Sequence, residues 1–145
     1  MSEPLEDWSL PALLRAGRRV YGSAIRDALA DAGFDDVPRN GLFVIGAIAG
    51  TEAPLSEIID QLGVSKQAAG QLVDTLVIRG YLERSVDPED RRRLRVSLTE
   101  RGEATAALIR AAVERVDRDL VARVGEEHVA HARATLVSLI SEARL

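Results

Sequence analysis

The stretch from Asp87 to Gly102, DPEDRRRLRVSLTERG, constrains the chain most, because it places three consecutive arginines in a turn between two strand-like runs. Upstream, Tyr81 to Val86 (YLERSV) leans toward β-branched and aromatic residues. Downstream, Leu94, Val96 and Leu98 alternate with Arg95 and Ser97, the period-2 mark of a half-buried strand. The two runs predict a hairpin with a charged tip.

Just before this hairpin, Leu55 to Gly80 predicts two helices joined by a tight turn. The first is short, with Ser56 as N-cap, Ile58, Ile59 and Leu62 as its apolar face, and Gly63 as its stop. Ser65 caps the second, whose apolar positions Ala68, Ala69, Leu72, Val73, Leu76 and Val77 recur at spacings of three and four up to Gly80. Helix, glycine turn, helix is the helix-turn-helix pattern, and a basic hairpin after it makes a winged helix.

Four linked motifs give this segment a family likeness. They are LGVSKQ at the turn into the second helix, RGYLER at its exit, DPEDRR in the hairpin, and VSLTERG at the second strand and next helix. In order and spacing, over roughly residues 40 to 102, the chain resembles the multiple-antibiotic-resistance regulator (MarR) family of bacterial transcription regulators.

The flanks predict further helices. Leu10 to Ala32 carries an apolar stripe with Ser9 as N-cap and Gly33 as stop, Phe34 to Pro38 is a loop, and Leu42 to Ala49 is apolar nearly all round and predicts a buried helix. Thr51 to Pro54 leads into the helix-turn-helix. After the hairpin, Thr99 caps a long helix from Glu100 to Val124 with Ala104, Leu108, Ala111, Val116 and Leu120 on one side, ended by Gly125. A last helix from Glu126 to Arg144 aligns Val129, Ala132, Leu136, Leu139, Ile140 and Ala143. One small lobe cannot cover such stripes, so a second copy of the chain is the simplest cover. The resemblance likewise implies a homodimer interlocked through the first and last two helices.

The expected fold is therefore mainly α with a small β-hairpin wing. It is a single domain over residues 1–145, with a winged helix-turn-helix lobe at about 36–101 and a helical dimerisation lobe from 5–33 and 102–145.

In a helix-turn-helix the start of the second helix meets base edges in the major groove. That start is Ser65, Lys66, Gln67, Ala68, Ala69, Gly70 and Gln71. Gln67 and Gln71, one turn apart, each offer the donor and acceptor that adenine presents, and Lys66 suits phosphate or guanine. Gly70 costs the helix about 1 kcal/mol relative to alanine. Either a close approach of DNA or packing against a neighbouring helix accounts for it.

Relatives often carry arginine where this chain has Gln71 and Thr75, which shifts phosphate contacts toward the wing residues Arg91, Arg92 and Arg93. The resemblance assigns Arg92 to the minor groove, where narrow A·T tracts attract arginine. It assigns Asp90 to holding the wing arginines by charge-assisted hydrogen bonds.

The net charge of -4 runs against a DNA partner, but its distribution does not. Residues 1–64 hold five arginines against ten acidic residues, whereas residues 65–101 hold eight basic against six acidic, the chain's one positive third. Absence of cysteine excludes disulfides, thiol redox sensing and thiolate metal sites. The acidic start MSEPLEDW and the shortness of the apolar run Gly41 to Gly50 predict a cytoplasmic chain without a membrane segment. His128, His131 and Glu127 share a helix face but lack a completing cluster, so no metal is expected. With no phosphate loop, nucleophile elbow or paired carboxylates, neither an enzyme nor a cofactor is expected.

The function expected is that of a homodimeric DNA-binding transcription regulator, a ligand-responsive repressor on a double-stranded, pseudo-palindromic operator. The resemblance implies release by a small aromatic or anionic effector bound between the two lobes. Trp8, Arg18, Tyr21 and Phe43 fall near that cleft, and no sequence signature selects among them. The rival readings are a winged-helix protein-interaction module without DNA binding, and a small-molecule-binding helical dimer.

Overall fold

A 3-10 turn at Leu5–Asp7 leads into helix α1, Leu10–Asp31, in the computed structural model, which describes residues 4–50, 55–92 and 94–143. Thr51 to Pro54, Arg93, Arg144 and the Leu94 side chain lie outside the described residues. The Ser9 side chain accepts the Ala12 amide at 3.4 Å, and Pro11 sits in the first turn, where a missing N–H costs nothing. Helix α2 spans Gly41–Gly50, α3 Leu55–Leu62 and α4 Lys66–Ile78. Ser56 is the second residue of α3 rather than its cap. Gly63, at φ +67°, makes the turn into α4, whose cap Ser65 accepts the Ala68 amide at 3.1 Å.

Strands β1, Leu82–Val86, and β2, Leu94–Leu98, pair antiparallel with Leu82 opposite Leu98 and Val86 opposite Leu94. Tyr81 stays outside β1, and its side chain is fully buried. Helix α5, Glu100–Val124, starts at the Thr99 cap, which accepts the Gly102 amide at 3.0 Å; α6 spans Glu126–Ala143. No helix among the described residues is long and apolar enough to cross a membrane.

One core joins the second half of α1 to the helix-turn-helix and the first half of α5. It contains Ile25 and Leu29 from α1, Leu42, Val44 and Ile45 from α2, Val73 and Leu76 from α4, then Tyr81, Leu82, Ala106, Ile109 and Ala112. Ile58 of α3 is also buried, and Val96 and Leu98 of β2 pack on the cluster half-buried.

Two expected faces are corrected. The packed seam of α5 is Gly102, Thr105, Ala106, Ile109 and Ala112, while Ala104 and Ala111 are exposed. Small residues are what let α5 approach α1 and α2 closely, so the seam follows size rather than hydrophobicity. Ala68, assigned to the apolar face of α4, is also exposed; it lies in the first turn of the helix and lines an open groove with Pro38, Arg39 and Asn40.

The outer parts of the molecule have no such cover. Helix α6 buries no residue, and Val137, Leu139 and Ile140 are 56%, 53% and 55% exposed. Leu10, Leu13, Leu14 and Val20 of α1 and Val124 of α5 are exposed as well.

Candidate nucleic-acid interface

The first turns of α4 present an open surface. Lys66, Gln67, Ala68, Gly70 and Gln71 are all exposed, with Ser65 beside them as the cap. Thr75 donates its hydroxyl to the Gln71 carbonyl at 2.9 Å, which satisfies that group within its own helix. Lys66 is the helix's sole cation.

A Cβ built on Gly70 meets nothing within 4 Å, so packing inside the chain does not require glycine there. We expect Gly70→Ala to raise stability by up to about 1 kcal/mol, through helix propensity. If DNA backbone passes over this position, the same substitution weakens DNA binding. Thermal melts and DNA titrations on one preparation check both; unchanged DNA affinity would remove Gly70 from the interface.

Two short turns shape the wing. Asp87 accepts the Glu89 amide and Asp90 accepts the Arg92 amide, both at 3.0 Å, so aspartate side chains replace backbone partners where the ladder has ended. Asp90 thus supports the backbone that carries Arg92. Arg91 and Arg92 stand exposed at this tip, and Arg93 lies outside the described residues. Arg84 of β1 pairs with Asp74 of α4, tying wing to helix through one ion pair.

A second set of contacts sets the angle between helix-turn-helix and wing. Gly80, at φ +83°, turns the chain out of α4, and its carbonyl accepts the Thr99 hydroxyl. The Tyr81 carbonyl accepts the Thr99 amide at 3.1 Å. The Tyr81 hydroxyl donates to Asp36 in the α1–α2 loop. Arg101 of α5 donates to the Asp36 carboxylate at 3.1 Å and to the Tyr81 hydroxyl at 2.9 Å, with its guanidinium 5.0 Å from the Phe34 ring centre. Arg79 donates to the Asp36 carbonyl. Three segments far apart in sequence therefore meet at Asp36.

The charges there are correspondingly shifted. Burial, followed by the hydrogen bond to Asp36, pushes the Tyr81 hydroxyl up to about 12, so it remains a donor. The Tyr81 hydrogen bond and then the Arg101 charge hold the Asp36 carboxyl below its ordinary value of 3.8. A carboxyl depressed in the folded state adds stability above its unfolded value and loses it as pH falls through the folded one. We expect stability to decline below about pH 4 partly through Asp36, and Asp36→Asn to flatten that decline. Melting temperature against pH for both proteins measures it; parallel curves would rule the residue out.

The helix pair and hairpin bring together Ser65, Lys66, Gln67, Gly70, Gln71, Asp90, Arg91 and Arg92 on connected elements. Asp36, Asp74, Tyr81, Arg84 and Arg101 were not singled out from sequence. Three of these lie inside the RGYLER and LTERG motifs, which was the available signal. Asp36 and Asp74 carry no local signature, since their partners are 45 and 10 positions away.

Behind the reading head, α1, α2 and α5 enclose a largely apolar cavity of about 800 Å³. Leu14, Tyr21, Phe43, Ile109 and Val113 line it, and Arg18 sits at its edge with its guanidinium 4.0 Å from the Phe43 ring centre. Of the four residues expected near the cleft, Trp8 is not among the lining residues; it follows the 3-10 turn, ahead of α1. Tyr21 donates to Asp117 of α5, and that bond, with burial, raises its hydroxyl above the ordinary tyrosine value. His128 and His131 are exposed on α6, and among the described residues no cluster is arranged to hold a metal ion.

A model of the MarR family matches residues 35–93. No curated protein matches the chain. Among solved structures, the chain is similar to Streptococcus pneumoniae FabT in complex with DNA (20% identity, 92% of this chain and 94% of that one, TM-score 0.73). It is also similar to an S. aureus MepR–DNA complex (19%, 94% and 99%, TM-score 0.71) and to a MarR crystal structure (25%, 98% and 95%, TM-score 0.70). With FabT and MepR the likeness is one of fold.

Proposed function

We propose that this chain is a DNA-binding transcription regulator of the MarR family, whose model matches residues 35–93, and that it is a repressor acting as a homodimer. The observation that carries the reading is the joined pair of reading elements. A capped helix exposes Lys66, Gln67, Gly70 and Gln71, and the Arg84–Asp74 pair fixes it to a wing whose tip exposes Arg91 and Arg92. Helix side chains of this kind read base edges, while arginines at a hairpin tip suit the minor groove and phosphates. The DNA complexes of FabT and MepR, alike in fold, support the same partner for this chain.

The homodimer rests on the uncovered apolar residues of α1 and α6 and of the end of α5, which one chain leaves in solvent. Two-fold symmetry in the protein asks for a pseudo-palindromic operator with half-sites about one helical turn, roughly 34–36 Å, apart. The effector site we assign to the apolar cavity between α1, α2 and α5. Its largely apolar walls, with Arg18 and Arg110 set against one acidic residue, Glu114, suit a small aromatic molecule bearing a negative charge. Such a ligand shifts the spacing of the two heads by binding one arrangement better than the other.

The test is titration against the DNA flanking its own gene at two salt concentrations, with an unrelated duplex of equal length as competitor. Tight binding that survives the competitor and weakens with salt is the expected result. Failure on that DNA and on duplexes selected from a random pool would leave the protein-interaction module as the better reading.

A further inference from the structure

All five basic residues of the first 64, Arg15, Arg18, Arg19, Arg26 and Arg39, line one cleft of about 420 Å³ between α1 and the start of α2. That segment carries ten acidic residues, and no acidic residue is among those lining the cleft. Arg15, Arg19 and Arg26 stack along one face of α1 at helical spacing, with Gly22 leaving room between the last two. The five side chains are exposed. The ion pairs among the described residues lie elsewhere, at Arg84–Asp74 and Arg101–Asp36. Gathering like charges without a counter-charge raises the energy of the free protein, and an anion relieves it. The planar guanidinium fork suits phosphate oxygens in particular.

The cleft also points somewhere. Arg39 lines a second groove that runs along α4 beside Ala68, Gln71 and Thr75, so the basic surface continues to the flank of the reading helix. That helix supplies one cation, Lys66, and the whole chain is acidic. Beyond Lys66 and the wing arginines Arg91 and Arg92, further phosphate contacts to a duplex would draw on additional basic surface.

We infer that the cleft is a phosphate-binding site, with the DNA backbone as the source that its continuity with α4 favours. Resting on the DNA-binding reading, it extends the footprint past helix and wing onto α1. Contacts of this kind position the duplex without reading its sequence.

The experiment compares wild type with the double variant Arg19→Gln and Arg26→Gln, and with the charge-retaining Arg19→Lys and Arg26→Lys. DNA affinity is measured across a salt series, and inorganic tripolyphosphate is titrated into each DNA-free protein. The slope of log affinity on log salt should shrink by about 0.9 for each phosphate no longer neutralised, on the order of 2 to 4 for the four arginines removed from a dimer. Operator and unrelated duplex should weaken by the same factor, and the lysine variant should keep most of the slope. An unchanged slope, with tripolyphosphate binding that needs both arginines, would assign the site to a free phosphorylated molecule instead. Unchanged slope with no tripolyphosphate binding overturns the proposal. If wild type binds no DNA at all, the regulator reading falls, and the tripolyphosphate titration alone decides whether the cleft holds phosphate.

Discussion

Gly102→Ala is expected to be among the most damaging single-methyl additions in this protein. A Cβ at Gly102 would stand 2.1 Å from the Tyr81 carbonyl oxygen and 3.1 Å from a Leu98 methyl. The obstructing atom is backbone and cannot rotate away. It also accepts the Thr99 amide, so displacing it strains the turn that caps α5. Overpacking costs typically 1–3 kcal/mol, and a backbone obstruction belongs at the upper end, about 3 kcal/mol. For a chain of this size that is a fall in melting temperature of roughly 6–12 °C, read by circular dichroism at one fixed protein concentration. A melt within a degree or two of wild type would mean that α5 can shift away from the hairpin. Gly70→Ala, also a glycine inside a helix, is the control with the opposite expected sign, since open space surrounds it.

The second large effect is on function. Arg92→Ala should lower operator affinity on the order of 100-fold, because a dimer presents two wings and each arginine removed from the groove costs about 1.4 kcal/mol, or tenfold. Arg92 is exposed and its backbone amide, not its side chain, is held by Asp90, so neither fold nor dimer should suffer. Affinity by fluorescence anisotropy and mass by sedimentation separate the two. Weakened binding with an intact dimer supports minor-groove or phosphate contact. Unchanged affinity places the wing off the DNA, and dissociation into monomers would contradict the assignment of the interface to the terminal helices.

The two variants also distinguish kinds of information in the chain. Caps and stops were open to reading because they depend on neighbours within four residues. Ser9, Ser65 and Thr99 each accept an amide three positions on, and Gly33, Gly63, Gly80 and Gly125 all adopt positive φ. The hairpin register is equally local, with strands separated by a short charged turn. Hydrophobic period set the faces of α3 and most of α4 correctly for the same reason.

Period alone failed on α5. A 25-residue helix rich in alanine offers several faces of similar hydrophobicity, and only the partners it meets decide between them. Size chose the seam through Gly102, Ala106 and Ala112, where α1, α2 and the hairpin come closest.

By itself, then, the sequence determined the element order, the capped helix α4, the charged wing and the likeness of residues 35–93 to the MarR family model, because each depends on short-range spacing along one strand of chain. Only the tertiary structure decided which face of α5 is buried, that Asp36 is the meeting point of Tyr81 and Arg101, and that five arginines scattered through an acidic segment share one cleft. Those outcomes depend on distances across 20 to 65 positions of sequence, which folding sets and local pattern does not encode.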